Sequence, residues 1–225
     1  MSLKNVRFAW QPSSSNKTGI NLKIDSCSTG TLVLIIGPVG SGKSTLLKGL
    51  AGETPVIEGD YFIKHPDMAF CDQKPWLVNA SIKDNIVGNS KLGLDNEWYR
   101  TVISACSLDT DFMKMPEGDQ TEVGSQGDKL SGGQKQRIVS STFQLFFIDF
   151  LKRSNGLMRI LQKTIARALY SRKRISCFDD VLSGLDNATS KLVFNRVFGS
   201  NGLLRRLGGV TFLATHSSML TPPRS

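Results

Sequence analysis

Gly37-Pro38-Val39-Gly40-Ser41-Gly42-Lys43-Ser44 spaces its glycines, lysine and hydroxyl as a loop that wraps phosphate groups requires. Glycines let successive backbone N–H groups curl inward around an anion. A lysine supplies a compensating charge, and a serine hydroxyl can ligand Mg²⁺. The loop follows the apolar run 32–36, which reads as a buried strand, and opens into Thr45-Leu46-Leu47, which reads as a helix. That helix start adds partial positive charge at the loop. The chemistry implied is the binding of a nucleoside triphosphate with its magnesium.

Further groups stand downstream in an ordered series. Gln73 lies just past the apolar segment 68–71, where a side-chain oxygen can reach Mg²⁺. Leu130-Ser131-Gly132-Gly133-Gln134 is a second glycine-rich helix start, and so a second anion site. Asp179 and Asp180 close the apolar strand beginning at Ile175. Asp179 is placed to hold Mg²⁺ through water, and Asp180, on the other side of the strand line, to polarise an attacking water. His216 closes the last strand, where its imidazole can sense a terminal phosphate. Taken singly, Gln73 also fits a solvated loop amide, His216 a core histidine, and the two aspartates a turn cap.

The elements that must position these groups alternate. Strands are expected at 6–10, 19–24, 32–36, 68–71, 175–180 and 210–214, with helical spacing from 81 to about 115. Strand–helix alternation around a phosphate loop argues for a mostly parallel sheet with helices on both faces. The chain has 225 residues and is 40% hydrophobic, as expected of a soluble globular protein. Its net charge is +9, but the basic residues are scattered without interleaved aromatics, which favours a solvated surface over nucleic acid or anionic lipid. Cys27, Cys71, Cys106 and Cys177 lack paired spacing and read as reduced thiols of a cytosolic protein. No apolar stretch approaches the ~18–20 residues that span a bilayer, and 1–4 is no secretory leader.

The order of these motifs resembles the ATP-binding-cassette ATPases, across nearly the whole chain outside 139–163. The phosphate loop corresponds to Walker A, Gln73 to the Q-loop, 130–134 to the LSGGQ signature, and 175–179 to Walker B. Ser183-Gly184-Leu185-Asp186 matches the D-loop and His216 the switch histidine. More narrowly, Cys71-Asp72-Gln73-Lys74-Pro75-Trp76 and Phe178-Asp179-Asp180-Val181-Leu182-Ser183 look like the first nucleotide-binding domain of C-subfamily, multidrug-resistance-associated exporters of fungal type.

That resemblance implies a P-loop α/β fold over 1–225, with a RecA-like core, an antiparallel β subdomain near the N-terminus, and a helical subdomain at about 76–137. It implies ATP and Mg²⁺ as ligands, with Ser44, Gln73 and Asp179 at the metal, and Trp10 stacked on adenine if it is not a core tryptophan. It also implies head-to-tail pairing with a second cassette, whose nucleotide Ser131, Gly132, Gly133 and Gln134 would cover, and attachment to transmembrane domains at a membrane's cytoplasmic face. The function so implied is slow, partner-dependent ATP hydrolysis driving export. A soluble non-transport cassette ATPase and an inactive cassette fragment are the alternatives.

Three departures qualify the resemblance. Asp180 stands where efficient hydrolases of the family carry Glu. One methylene less leaves the carboxylate about 1 Å short of its water, a misplacement worth roughly 10²-fold in rate. Second, the family runs from a segment like 134–138 directly into one like Thr164-Ile165-Ala166-Arg167-Ala168-Leu169-Tyr170, whereas here 139–163 intervenes. As continuous helix it would add roughly 37 Å, so it is expected to loop out, bending near Ser154-Asn155-Gly156 and exposing Phe143, Phe146, Phe147 and Phe150. Codons for Val139, Ser140 and Lys163 can supply the GT and AG borders of an intron read in frame, which is the favoured origin over a lineage-specific insertion. Third, the chain stops soon after His216, which reads as a cassette truncated at its C-terminus.

Overall fold

The computed structural model describes residues 2–10, 20–23, 30–62, 67–73, 77–88, 93–123 and 156–216. The site rests on a four-stranded parallel sheet. Its order is β3 (Thr31–Ile36), β9 (Val210–Thr215), β8 (Ile175–Asp179), β5 (Met68–Cys71). Every residue of β8 is buried, as expected of an inner parallel strand covered on both faces. Phe178 meets Phe198 edge-to-face at 5.0 Å in the larger core cluster. On the other side, Leu47 and Leu50 of α1 (Lys43–Leu50) pack with Cys177, Phe212 and Ala214.

A separate antiparallel sheet joins β2 (Ile20–Lys23), β1 (Ser2–Phe8) and β4 (Val56–Phe62). A short β6 (Ala80–Ser81) pairs with β7 (Glu122–Val123) beside three helices, α2 (Ile82–Val87), α3 (Asn96–Ala105) and α4 (Asp109–Phe112). Ser81 starts α2 by accepting from the Asp84 amide at 3.0 Å, and Asp95 starts α3 by accepting from the Trp98 amide at 3.0 Å. The fold is a P-loop α/β type with both kinds of sheet, as the sequence predicts.

Helix α5 (Gly156–Tyr170) links the helical region to the core. Arg167 donates to the Asn85 backbone carbonyl and, at 2.9 Å, to Asn85 Oδ1. Trp98 Nε1 donates to the Tyr170 carbonyl at 3.3 Å, while the Arg172 guanidinium lies 4.7 Å from the Trp98 ring centre and pairs with Asp95 at 2.6 Å. After β8 come α6 (Asn187–Val193), a π-helical turn (Phe194–Phe198) and α7 (Leu203–Leu207). Among the described residues no helix is long and apolar enough to cross a membrane.

The looping-out expected of 139–163 is corrected in part. Residues 156–163 are helical and continuous with Thr164, and Gln162 and Lys163 are buried. The helix begins at Gly156, and in the sequence Leu157, Ile160 and Leu161 extend the helical apolar period of 164–170; Ser154 and Asn155, where a bend was expected, lie outside the described residues. Phe143, Phe146, Phe147 and Phe150 lie outside the described residues.

Candidate functional site

Register brings the candidate groups to one end of the sheet. Ile36 pairs with Thr215 and Asp179 with Ala214, so the chain leaves β3, β9 and β8 at the same level. The phosphate loop, His216 and Asp180 are the next residues along each strand. Brought together in this way are the glycine loop, a lysine, a hydroxyl, two carboxylates and an imidazole.

The loop itself depends on backbone sign. Gly40 and Gly42 have φ of 81° and 89°, the left-handed region where a Cβ is costly. Lys43 turns its ammonium back over the loop, donating to the carbonyls of Gly37 and Pro38 at 2.8 Å each. These are contacts that phosphate oxygens can replace. Ser44 is exposed and its hydroxyl bonds to Asp179. Pro38, Val39 and Ser41 stand exposed on the outer rim, and Thr45 follows in the first turn of α1.

Asp179 is 2% exposed. Burial pushes its carboxyl above the usual carboxylate range; the Ser44 hydroxyl opposes this, Asp72 and Asp180 reinforce it, and Lys43 opposes it. The Asp179 carboxylate and the Ser44 hydroxyl are oxygen donors of the kind a hard divalent cation such as Mg²⁺ takes, while among the described residues no group of three or more His, Cys, Asp or Glu is arranged to hold a metal ion. Asp180 has φ 51°, a conformation Asp tolerates better than most residues. It is fixed there by its amide donating to Ala214 O at 3.0 Å, and by the Ser183 hydroxyl donating to its carbonyl at 2.7 Å. Both its carboxylate oxygens lie near His216 Nδ1, at 3.1 and 3.0 Å. A carboxylate only accepts, so Nδ1 carries the proton in this pair.

Gln73 is exposed two residues past β5. Trp10 is 59% exposed beyond the end of β1, which excludes a core position for it. It follows β1 of the antiparallel sheet and not a strand of the parallel sheet. Ser131, Gly132, Gly133 and Gln134 lie outside the described residues, as does Cys27; Cys71, Cys106 and Cys177 are free and buried.

Sequence reasoning passed over Asp72. Cys71 pairs with Phe178, so Asp72 stands level with Asp179, and Lys48 of α1 reaches it at 3.3 Å. Its adjacency to Gln73 was the available signal.

The sequence pattern described as ABC transporter matches residues 19–140, more than half of the chain. The chain belongs to the ABC transporter family. It is 42% identical over 218 residues to the ABC transporter gloK of Glarea lozoyensis, covering 96% of this chain and 14% of that protein. It is 39% identical over 223 residues to the ABC multidrug transporter B of Aspergillus fumigatus, covering 99% and 13%. It is 41% identical over 217 residues to the ABC transporter ecdL of Aspergillus rugulosus, covering 96% and 13%. The chain thus spans a small part of these fungal relatives' length.

Proposed function

We propose that this chain is the nucleotide-binding domain of an ABC exporter, of the C-subfamily first-cassette type, that binds Mg·ATP and hydrolyses it slowly. The observation that carries this reading is the convergence of Lys43, Ser44, Asp179, Asp180 and His216 at one sheet end. Lys43 exchanges its two carbonyl partners for phosphate oxygens, a charge-assisted contact stronger than the ones it leaves. Ser44, Asp179 and Gln73 would hold Mg²⁺, which when bound would neutralise phosphate charge. Trp10, exposed beyond the end of β1, would offer a ring face to the base.

Asp180 accepts a proton from the attacking water, and His216 orients it through Nδ1. The short Asp180 side chain makes this step slow, by roughly 10²-fold relative to a well-placed carboxylate. Pairing head to tail with a second cassette completes the site, and transmembrane domains on the same transporter convert closure and release into export. The presence of multidrug transporter B among the relatives supports export of a small molecule.

Thermal unfolding with and without Mg·ATP tests the binding. Nucleotide at about 100 times its dissociation constant adds ~2.7 kcal/mol, which raises the midpoint by roughly 5–10 °C in a domain of this size. An unchanged midpoint points instead to an inactive cassette. Recovery of the chain's natural product in membranes, and not with ribosomes, supports the transport role over a soluble cassette ATPase.

A further inference from the structure

Gln73 belongs to a segment whose two flanks are held by one turn of α5. Before it, the Cys71 thiol donates to the Thr164 hydroxyl at 3.2 Å. After it, the Val78 amide donates to Asn85 Oδ1 at 2.8 Å, and Asn85 Nδ2 donates back to the Val78 carbonyl at 3.0 Å. Asn85 is buried, and Arg167 bonds both its Oδ1 and its backbone carbonyl. Thr164 and Arg167 are three residues apart, on one face of the helix. Both anchors lead to α5, which does not carry the phosphate loop.

The link to that loop runs through Asp72. Lys48 of α1 bridges to its carboxylate at 3.3 Å. α1 begins at Lys43, directly after the loop, and is seated on the sheet by the buried Leu47 and Leu50. Lys48 lies between these two leucines in sequence, so it starts from a fixed helix. Asp72 immediately precedes Gln73 and stands level with Asp179, because Cys71 pairs with Phe178. The Lys48 and Asp72 side chains are 28% and 43% exposed, so neither fills the core and the bridge is what joins them.

We propose that Lys48 and Asp72 are a positioning pair, which ties the segment of Gln73 to the helix of the phosphate loop and sets the reach of Gln73 toward the metal that Ser44 and Asp179 would share. Lys48 acts through Asp72 and Gln73, not on the phosphates. This rests on the reading above that Gln73 serves a Mg²⁺ bound with the nucleotide.

Lys48→Met separates this role from two simpler ones. The quantity to read is how much Mg²⁺ tightens ATP binding, taken by calorimetry as the ratio of the ATP dissociation constants with Mg²⁺ chelated and with Mg²⁺ in excess. Loss of a positive charge acting at a distance weakens the more highly charged free ATP more than Mg·ATP, and the ratio rises. Loss of a favourable charge in the last turn of α1 lowers the unfolding midpoint and leaves the ratio alone. Loss of positioning weakens Mg·ATP binding alone, and the ratio falls. A fall of about 2- to 5-fold is expected, the worth of an exposed ion pair. Lys48→Arg, which can keep the bridge, should hold the ratio of the unmodified chain. An unchanged or raised ratio in Lys48→Met, or an equal fall in Lys48→Arg, overturns the proposal.

Amide hydrogen exchange at Asp72 and Gln73, in chains without nucleotide or metal, reads the tether itself. Faster exchange there in Lys48→Met, with exchange across Val210–Thr215 unchanged, is expected, and equal exchange at Asp72 and Gln73 overturns the proposal. Should the unmodified chain bind ATP under neither condition, the functional reading fails, and exchange still decides whether the bridge holds this segment.

Discussion

The starts of α1 and α5 differ in how they are held. The loop before α1 is fixed by its own backbone: Gly40 and Gly42 take positive φ, and Lys43 bonds across to Gly37 and Pro38, all within a few residues. The start of α5 is fixed by the residues that precede Thr164, which are 156–163, with Gln162 bonded to the Cys106 carbonyl at 3.0 Å. A site made of local turn geometry survives rearrangement elsewhere in the chain. A helix terminus depends instead on the residues covalently next to it.

The largest effect expected at the first region is on turnover. Asp180→Glu, in the chain lacking 139–163 and paired with a competent cassette, should raise ATP hydrolysis by up to roughly 10²-fold as the carboxylate reaches its water. Steady-state phosphate release measures it, and an unchanged rate removes the short side chain as the cause of slowness. The gain has an opposing cost, since φ at position 180 is 51° and Glu suits that conformation less well than Asp.

Next in size is a stability effect at the second region. Lys163→Ile in the full chain removes a buried cation that has a partner. The partner stays behind unpaired, which costs about 1–3 kcal/mol. A loss of that size, read as roughly 2–12 °C in the unfolding midpoint, is expected. An unchanged midpoint shows that the interactions of Lys163 do not support this helix.

Smaller still is the effect of Asp186, the cap of α6, whose carboxylate accepts from the amides of Ala188 and Thr189 at 3.0 and 2.9 Å. Asp186→Ala should cost about 0.5–1 kcal/mol in denaturant titrations at neutral pH. The Thr189 amide bond, first among the causes, holds this carboxyl below the usual carboxylate range. Its contribution is therefore present above the unfolded value near 4 and lost as pH falls through the lower folded value. The gap between wild type and Asp186→Ala should close on acidification; a constant gap would assign it to helix propensity instead.

Legibility in the sequence follows the same contrast. The strands of the parallel sheet announce themselves as apolar runs because burial on both faces leaves no polar alternation, and 68–71 is read to the residue. The residues at their ends are legible with them, since parallel strands in one register deliver their next residues to one place.

β4 is not legible. Val56–Phe62 is mostly exposed and broken by Gly59, where a Cβ would sit 2.3 Å from the Asn5 carbonyl oxygen, so close approach to β1 rather than apolar pattern defines it. Asp72 is hidden for a related reason, because its place beside Asp179 comes from pairing between strands far apart in sequence. The helical course of 156–163 is concealed by its origin in an intervening segment, although its apolar spacing continues that of 164–170.

The most direct measurement is a calorimetric titration of Mg·ATP into the unmodified chain and into Lys43→Ala. Saturable binding at one site, weakened about 10- to 150-fold by Lys43→Ala, is the result predicted. Absence of binding to the unmodified chain, or equal binding by both, contradicts a nucleotide held in the loop around Lys43.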